Sequence, residues 1–272
     1  EYMYLDYYTY SMTGKKFFTI FAIPPKYEKD FLEFLHAMEV LELINEVNVR
    51  RLVYMRLVPF MTEFFDFSRG IWDQGWANKP RTRELQEFPE YPDPDPKIDE
   101  LDLKLLAQLQ KQVIPLKYSE LARRFKVTRQ TISKHYKRIK KLINLFAIIW
   151  FPFMNPELMV SPLTVKTEAR DEFRKIVLSV PFTYTELRSE QGEYFAMLMV
   201  PTIGFYTTMK FLTESIDLVE LNFQDMEYSG KFAIQHNLYK GGIWINVFER
   251  GIEKLLEVVQ KKNVGKRFPN LA

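Results

Sequence analysis

One succession of secondary-structure patterns occurs twice in this chain of 272 residues. The first copy reads as strand, turn, strand, amphipathic helix and closing strand, predicted over residues 2–10, 13–15, 17–23, 27–44 and 47–58. The second copy has the same order, predicted over residues 182–188, 191–193, 194–200, 203–218 and 219–231. A repeat at this scale restricts the fold to two copies of one α/β unit.

The second copy is preceded by one further strand, residues 162–166, and one further helix, residues 169–180. The complete order βαββαβ predicts an antiparallel sheet with two helices on one face, which is the ferredoxin-like arrangement. After each closing strand comes an aromatic-x-x-Gly-Ile-Trp element that ends at Trp72 or Trp244. We expect both tryptophans to cap the edge of a core rather than to bind a ligand.

The two copies are separated by a proline-rich stretch and by three helical patterns. Five prolines between residues 79 and 97 favour an extended, semi-rigid linker. The predicted division is an incomplete ferredoxin-like domain, the linker, a helix-turn-helix, a ferredoxin-like effector or dimerisation domain, and a terminal helix with a basic tail, at residues 1–78, 79–97, 98–145, 146–250 and 251–272. The predicted fold class is therefore α+β.

The last of the three helices, predicted over residues 128–142, has two chemically different sides. Ile132, Tyr136 and Ile139 share an apolar stripe that must face a core. The opposite stripe consists of Gln130, Lys134, Lys137 and Lys141. Residues 117–141 contain ten Lys or Arg and a single acid, although the net charge of the chain is only +3. This local excess favours a polyanionic partner, and an ordinary three-helix unit with a solvated basic face is the alternative.

Three segments carry a resemblance to a known family. They are Ile98-Asp-Glu-Leu-Asp-Leu-Lys-Leu-Leu106, Tyr118-Ser-Glu-Leu-Ala-Arg-Arg-Phe125 and Val127-Thr-Arg-Gln-Thr-Ile132. They resemble the Lrp/AsnC transcription regulators, and the match continues through residues 158–165 and the hairpin at 189–196. The resemblance implies a helix-turn-helix of the winged-helix-like class followed by a βαββαβ effector domain.

The sequence departs from the family pattern in two places. Phe195 stands where the family's hairpin motif has Asp, which weakens the expectation of an amino-acid effector. Residues 115–117 add length between the first two helices. The hairpin positions Gly192 and Tyr194 remain candidates for binding a small-molecule effector.

The predicted function is a sequence-specific regulator of transcription that binds double-stranded DNA and reads the major groove with residues 128–142. Side chains able to pair with base edges are Gln130, Ser133 and Lys134. Side chains expected to contact phosphates are Lys117, Ser119, Arg123, Arg124, Thr128, Arg129, Lys137, Arg138 and Lys141. The alternative is a ligand-sensing or assembly module whose basic helix binds RNA or an acidic protein.

Enzyme chemistry has little support in the sequence. There is no cysteine, the three histidines are far apart, and no phosphate loop, nucleophile motif or dinucleotide fingerprint occurs. We therefore expect no catalytic residue, no metal and no cofactor. The apolar runs are too short to span a membrane, so the predicted location is cytoplasmic and nucleoid-associated.

The first copy lacks the opening strand and helix that the second copy has. An unpaired sheet edge and a bare apolar face would result. We therefore expect the missing elements to lie upstream of Glu1 or to come from another chain, and we expect a second helix-turn-helix upstream of Glu1. We also expect the two α/β units to pack as an intramolecular pseudo-dimer, or the chain to form a homodimer.

Overall fold

The computed structural model describes residues 3–81, 83–85, 97–111, 117–143 and 160–267. The strands are β1 (Leu5–Ser11), β2 (Lys16–Phe21), β3 (Leu52–Leu57), β4 (Phe65–Asp66), β5 (Ile71–Trp72), β6 (Val160–Glu168), β7 (Thr183–Ser189), β8 (Glu193–Pro201), β9 (Glu220–Lys231), β10 (Tyr239–Lys240) and β11 (Ile243–Trp244). The helices are α1 (Glu28–Val40), α2 (Glu100–Lys111), α3 (Tyr118–Phe125), α4 (Arg129–Ile139), α5 (Asp171–Ser179), α6 (Phe205–Ser215) and α7 (Phe248–Arg267).

The complete unit of the second half forms as predicted. Strands β9, β6, β8 and β7 lie side by side in that order, and every neighbouring pair is antiparallel. Residues along β8 alternate between two environments because successive side chains of a strand point to opposite faces. Tyr194, Ala196 and Leu198 pack into a core with residues of α5 and α6. Phe195 and Met197 belong to a second cluster on the other face of the sheet.

The first half extends this sheet at both ends instead of forming a separate one. The hairpin β1–β2 adds to β9, and β3 adds to β7, so the seven-stranded order is β2-β1-β9-β6-β8-β7-β3. In the repeat, β1 corresponds to β7 and β3 corresponds to β9. Each copy thus pairs its hairpin strand with the closing strand of the other copy. The arrangement has approximate two-fold symmetry, in agreement with the expected intramolecular pair, and it joins the ranges 1–78 and 146–250 in one sheet.

The short hairpins β4–β5 and β10–β11 are exchanged between the two halves. Trp72 lies 4.8 Å from Phe182, ring centroid to ring centroid, in the core beneath α5 and α6. Trp244 lies 5.8 Å from Tyr4 in the core of the first half. Each tryptophan therefore caps a core edge, as predicted, but the core belongs to the other copy.

The residues that follow each hairpin continue this exchange. Trp76, which is 1% exposed, packs against Phe182 and Phe211 of the second half. Phe248 at the start of α7 is 0% exposed and packs against Phe31 of α1 at 5.3 Å between ring centroids. The core of each half is therefore completed by residues from the other half.

Two predicted boundaries in the first half are wrong. Helix α1 ends at Val40 rather than at residue 44, because Glu42 adopts a left-handed backbone with φ 53°. Strand β3 begins at Leu52 rather than at residue 47. The backbone N–H of Val47 instead donates to the Glu39 carboxylate at 2.8 Å, which draws the connection back against the helix.

No helix in the described part of the chain has both the length and the apolar character needed to cross a membrane.

Candidate nucleic-acid interface

Helices α2, α3 and α4 form the predicted helix-turn-helix around a small apolar core. Leu105, Leu121, Ile132 and Ile139 are at most 2% exposed and lie in one cluster. The second predicted helix coincides with α3, and the third corresponds to α4 followed by one 3-10 turn at Lys140–Leu142. The buried stripe of α4 leaves its opposite side to the solvent.

The turn between α3 and α4 is held by backbone and hydroxyl hydrogen bonds. Lys126 has a left-handed backbone with φ 56°, and the N–H of Val127 donates to the carbonyl of Ala122 at 3.0 Å. This is the pattern of a Schellman motif, which ends a helix sharply. The Thr128 hydroxyl then accepts from the N–H of Thr131 at 3.1 Å, so Thr128 is the N-cap of α4. The start of α4 is therefore fixed relative to α3.

The residues predicted to read bases lie on the first two turns of α4. Gln130 and Lys134 are exposed, and Ser133 between them is half-buried. Most residues predicted to contact phosphates are also exposed, namely Lys117, Ser119, Arg123, Arg124, Thr128, Arg129, Lys137 and Lys141. No ion pair is found for these cations in the described residues. A face that carries unpaired cations of one sign is an electrostatic site for a polyanion.

Arg138 differs from the other cations of this helix. Its Nη2 forms ion pairs with Asp99, just before α2, and with Asp102, which is 0% exposed. The guanidinium of Arg138 thus joins α4 to the start of α2, and its predicted contact with a phosphate stays a prediction. The place of Arg138 in the sequence, within a run of cations, gave no indication of these ion pairs.

His135 takes part in the same contact between α2 and α4. Its Nδ1 lies 2.8 Å from Oδ1 of Asp102 and 3.6 Å from Oδ1 of Asp99. Partial burial acts to raise the pKa of Asp99, but the hydrogen bonds from Arg138 and from the Asp102 backbone, together with the charges of His135 and Arg138, outweigh it and hold that pKa below its usual value. We call Asp99, Asp102, His135 and Arg138 the interhelix clamp.

Three residues of the clamp have side chains of the kind that can bind a metal ion. One ligand atom from each of Asp99, Asp102 and His135 lies within 4.8 Å of the others. The guanidinium of Arg138 already forms ion pairs with both carboxylates, so the arrangement works as an ion-pair cluster. The sequence signal that could have revealed it is Asp102, an acid beside the apolar stripe of α2.

The three-helix unit is also attached to the second α/β copy. The Gln110 side-chain carbonyl accepts from the N–H of Ile234 at 2.8 Å, and the Tyr239 hydroxyl donates to the carbonyl of Ile98 at 3.2 Å. Glu100 accepts from the N–H of Gly241 at 3.2 Å. Leu103 and Ala107, which were not assigned to a core from the sequence, are 2% exposed on α2. Helix α2 therefore serves as a support with two buried sides.

Gly192 and Tyr194, the two candidates for effector binding, have structural roles in the hairpin turn and in the core. Gly192 adopts φ +77° in the hairpin turn, where a residue with a Cβ is strained. The Tyr194 ring is 1% exposed, and its hydroxyl donates to Oε2 of Glu186 at 3.0 Å. Burial raises the pKa of this hydroxyl well above its usual value of 10.0. The side chain of Tyr194 is thus occupied in the core and is not presented to a ligand.

No protein-family model matches this sequence, and no curated protein matches it. Solved structures with a similar fold include a transcriptional regulator of Neisseria meningitidis in complex with L-Met, at 16% identity over 52% of this chain and 100% of that chain, with a TM-score of 0.42. A transcriptional regulatory protein of Pyrococcus furiosus, a member of the AsnC family, matches at 21% identity over 46% of this chain and 87% of that chain, with a TM-score of 0.35.

A third solved structure, the siroheme decarboxylase NirDL, matches at 9% identity over 94% of this chain and 72% of that chain, with a TM-score of 0.48. Similarities at this level identify neither the activity nor the ligand of this chain. The order seen directly in the structure, a helix-turn-helix followed by a βαββαβ unit, agrees with the Lrp/AsnC resemblance of the sequence.

Proposed function

We propose that this chain is a sequence-specific double-stranded DNA-binding regulator of transcription that inserts α4 into the major groove. The observation that carries the proposal is the two-sided character of α4. Ile132 and Ile139 are fully buried on one side, while Lys134, Lys137 and Lys141 are exposed on the other. A buried stripe fixes the rotation of the helix, so the basic side is presented as a unit.

Binding would proceed through two kinds of contact. The exposed Lys and Arg side chains of α3 and α4 would neutralise phosphates, which supplies affinity and its dependence on salt. Gln130 can pair with adenine through two hydrogen bonds, and Lys134 can donate to guanine. The interhelix clamp would hold α4 at a fixed angle to α2, so that both residues reach the same base pairs.

The test compares two lysines that are both exposed. Lys137→Ala should weaken binding to all duplex sequences and lower the salt slope by about one unit. The matched control is Lys175→Ala on α5, an exposed lysine outside the three-helix unit, which should leave both quantities unchanged. Fluorescence anisotropy with labelled duplexes at several salt concentrations measures both. Equal effects of the two substitutions would contradict the proposal.

Base reading requires a separate variant. Gln130→Ala should reduce discrimination at one base pair by about 1–3 kcal/mol while the salt slope stays constant. Selection of duplexes from a random pool by the wild-type chain and by the variant measures this change. An unchanged selected sequence would remove Gln130 from the base-reading set.

The same basic face suits RNA or an acidic protein, which is the second candidate function. Single-stranded and hairpin RNA of the same length belong in the anisotropy series as competitors. Preference for RNA over duplex DNA at equal charge would favour that candidate.

The described residues contain one helix-turn-helix per chain, so a DNA site with two half-sites would recruit two copies. The mass of the DNA complex measures this stoichiometry.

A further inference from the structure

The seven-stranded sheet is curled, and both of its edge strands reach one interior cluster. Phe18 and Ile20 of β2 belong to this cluster, and so do Leu52 and Met55 of β3. Leu187 of β7 and Phe195 and Met197 of β8 complete it. The rings of Phe18 and Phe195, which are equivalent residues of the two copies, lie 6.2 Å apart between centroids. The two edges of the sheet therefore approach each other around a common interior.

The directions of the strands show how the curled sheet can close. An odd number of additional strands is needed if every neighbouring pair is to be antiparallel. Every neighbouring pair in the order β2-β1-β9-β6-β8-β7-β3 is antiparallel. Seven alternating strands leave the first and last, β2 and β3, pointing the same way. A ring closed by direct pairing of β2 with β3 would contain a parallel pair, whereas one additional antiparallel strand pairs with both.

Within the described residues, the internal symmetry identifies the strand that has no counterpart. Strands β1, β2 and β3 correspond to β7, β8 and β9, and only β6 has no counterpart in the described part of the chain. Strand β6 lies between β8 and β9. Its counterpart would lie between β2 and β3, which is the opening that the strand directions indicate. The helix α5 that follows β6 also lacks a counterpart, since α1 corresponds to α6.

We propose that the opening between β2 and β3 is an acceptor for an extended polypeptide segment of the β6–α5 type, a strand followed by an amphipathic helix. The backbone edges of β2 and β3 would supply the hydrogen bonds, as in other cases of strand addition to a sheet. The segment runs antiparallel to both edges, so its carboxyl end lies where β2 and β3 begin.

The side-chain pattern of the inserted strand follows from β6. Lys166 and Thr164 face the interior, where Lys166 pairs with Glu193 at 2.7 Å, while Val165 is 0% exposed beneath the helices. The inserted strand therefore alternates small or polar residues inward with apolar residues outward. Lys15 lies exposed at the end of the opening where its carboxyl end would be, whereas Lys16 and Arg51 beside it already form ion pairs with Glu220 and Glu190. The charge of Lys15 favours an acidic residue there.

The outer face next to β2 is consistent with a missing helix. Phe17 of β2 is 61% exposed, and Tyr228, in the irregular part of β9 beside β1, is 55% exposed. At the equivalent place in the second copy, next to β7, α5 covers the sheet through Arg174, which is 3% exposed. The helix of the inserted segment would cover the aromatic side chains that the described elements leave open.

The experiment uses a synthetic peptide with the sequence of residues 160–180 and the full chain. Hydrogen–deuterium exchange is measured with and without the peptide. We expect the peptide to slow exchange in β2 and β3 about tenfold or more, with the centre of β9 unchanged. Absence of binding, or protection elsewhere only, overturns the proposal. Protection of both edges without peptide that grows with protein concentration also overturns it, because a second copy would then be the occupant.

A pair of variants at one exposed position tests the edge directly. The N–H of Ala22 donates to the carbonyl of Tyr4, so the N–H of Thr19, three residues earlier, points away from β1. Thr19→Pro removes this N–H without breaking the β1–β2 pairing and should abolish the protection by the peptide. Thr19→Val keeps the N–H and should retain it. If Thr19→Pro lowers the stability of the chain itself, Met55→Pro at the opposite edge gives the same test, and peptide protection in both proline variants overturns the proposal.

Discussion

Two equivalent strand pairings join the copies, β3–β7 and β1–β9, and we call them seams. Different side-chain interactions stabilise the two seams. At the β3–β7 seam, Glu186 is 0% exposed and accepts from Nε and Nη2 of Arg174, each at 2.9 Å. Arg56 of β3 adds a further ion pair to the same carboxylate at 2.5 Å. At the β1–β9 seam, the Thr9 and Ser229 hydroxyl oxygens lie 2.6 Å apart on the interior face of the sheet, opposite to the face of Glu186.

The difference follows from what covers each seam. Helix α5 lies over the β3–β7 seam and excludes water, so a charge there needs a complete set of partners. At the β1–β9 seam the equivalent of Glu186 is Tyr8, whose ring packs on the backbone of Gly230. One seam thus depends on a helix and on ion pairs, whereas the other depends on the two strands alone. Equivalent strand pairings do not require equivalent side-chain chemistry.

The largest expected effect is at Glu186. Glu186→Ala leaves the buried Arg174 and the half-buried Arg56 without this carboxylate, and we expect a loss of about 3–5 kcal/mol in the free energy of unfolding. Glu190→Ala on the same hairpin is the control, because its ion pair with Arg51 at 3.3 Å is exposed and should contribute under about 1 kcal/mol. Urea denaturation followed by circular dichroism measures both. Similar losses would show that the two seams do not differ as described.

The next effect is expected at Gly230 in the other seam. A Cβ at this position would come within 2.5 Å of the Tyr8 ring, so Gly230→Ala should cost about 1–3 kcal/mol. Tyr8→Ala in the same chain should relieve the clash, so the double variant should lose less than the sum of the single losses. Additive losses would mean that the ring does not rest on Gly230.

A smaller effect is expected for the hydroxyl pair. Thr9→Val removes the hydrogen bond to Ser229 while preserving shape, with an expected cost of about 1 kcal/mol. Ser229→Ala should cost a similar amount, and the two substitutions together should cost little more than either alone. A loss as large as that of Glu186→Ala would remove the contrast between the seams.

The smallest expected difference between the seams is in how the free energy of unfolding depends on pH in the acidic range. Burial acts to raise the pKa of Glu186, but the hydrogen bond and charge of Arg174, with the charge of Arg56, outweigh it and hold the pKa below its usual 4.5. A lowered pKa stabilises the fold above the usual value, and this contribution disappears as the pH falls through the folded-state value.

Glu186→Gln should therefore lose less stability than the wild type between about pH 5 and pH 3, by a fraction of the ~1.4 kcal/mol per pH unit that one proton gives. Thr9→Val should keep the wild-type slope, because its hydroxyl does not titrate in this range. Urea denaturation at several pH values measures the three slopes. Identical slopes for Glu186→Gln and the wild type would show that Glu186 does not contribute to acid sensitivity.

Periodicity predicted the local elements well because it depends on near neighbours in sequence. The bounds of α3 and the order βαββαβ follow from the spacing of apolar residues and from turn residues such as Gly192. The buried stripe of α4 was also predictable, since Ile132 and Ile139 are seven positions apart.

Pairing across long separations was not predictable in the same way. The alternation in β3 shows which side chains face inward, but not that its partner is β7 rather than β2. Arg138 looks like a phosphate contact because its neighbours are basic, whereas its acidic partners lie at Asp99 and Asp102. Contacts of this kind depend on how the helices cross.

Because the hairpins are exchanged, the core of each copy depends on residues of the other. Separation of the two halves would remove Trp76 from the core of the second half and Phe248 from the core of the first. Neither half keeps a complete core without the other, so we expect the two halves to unfold together rather than as independent modules.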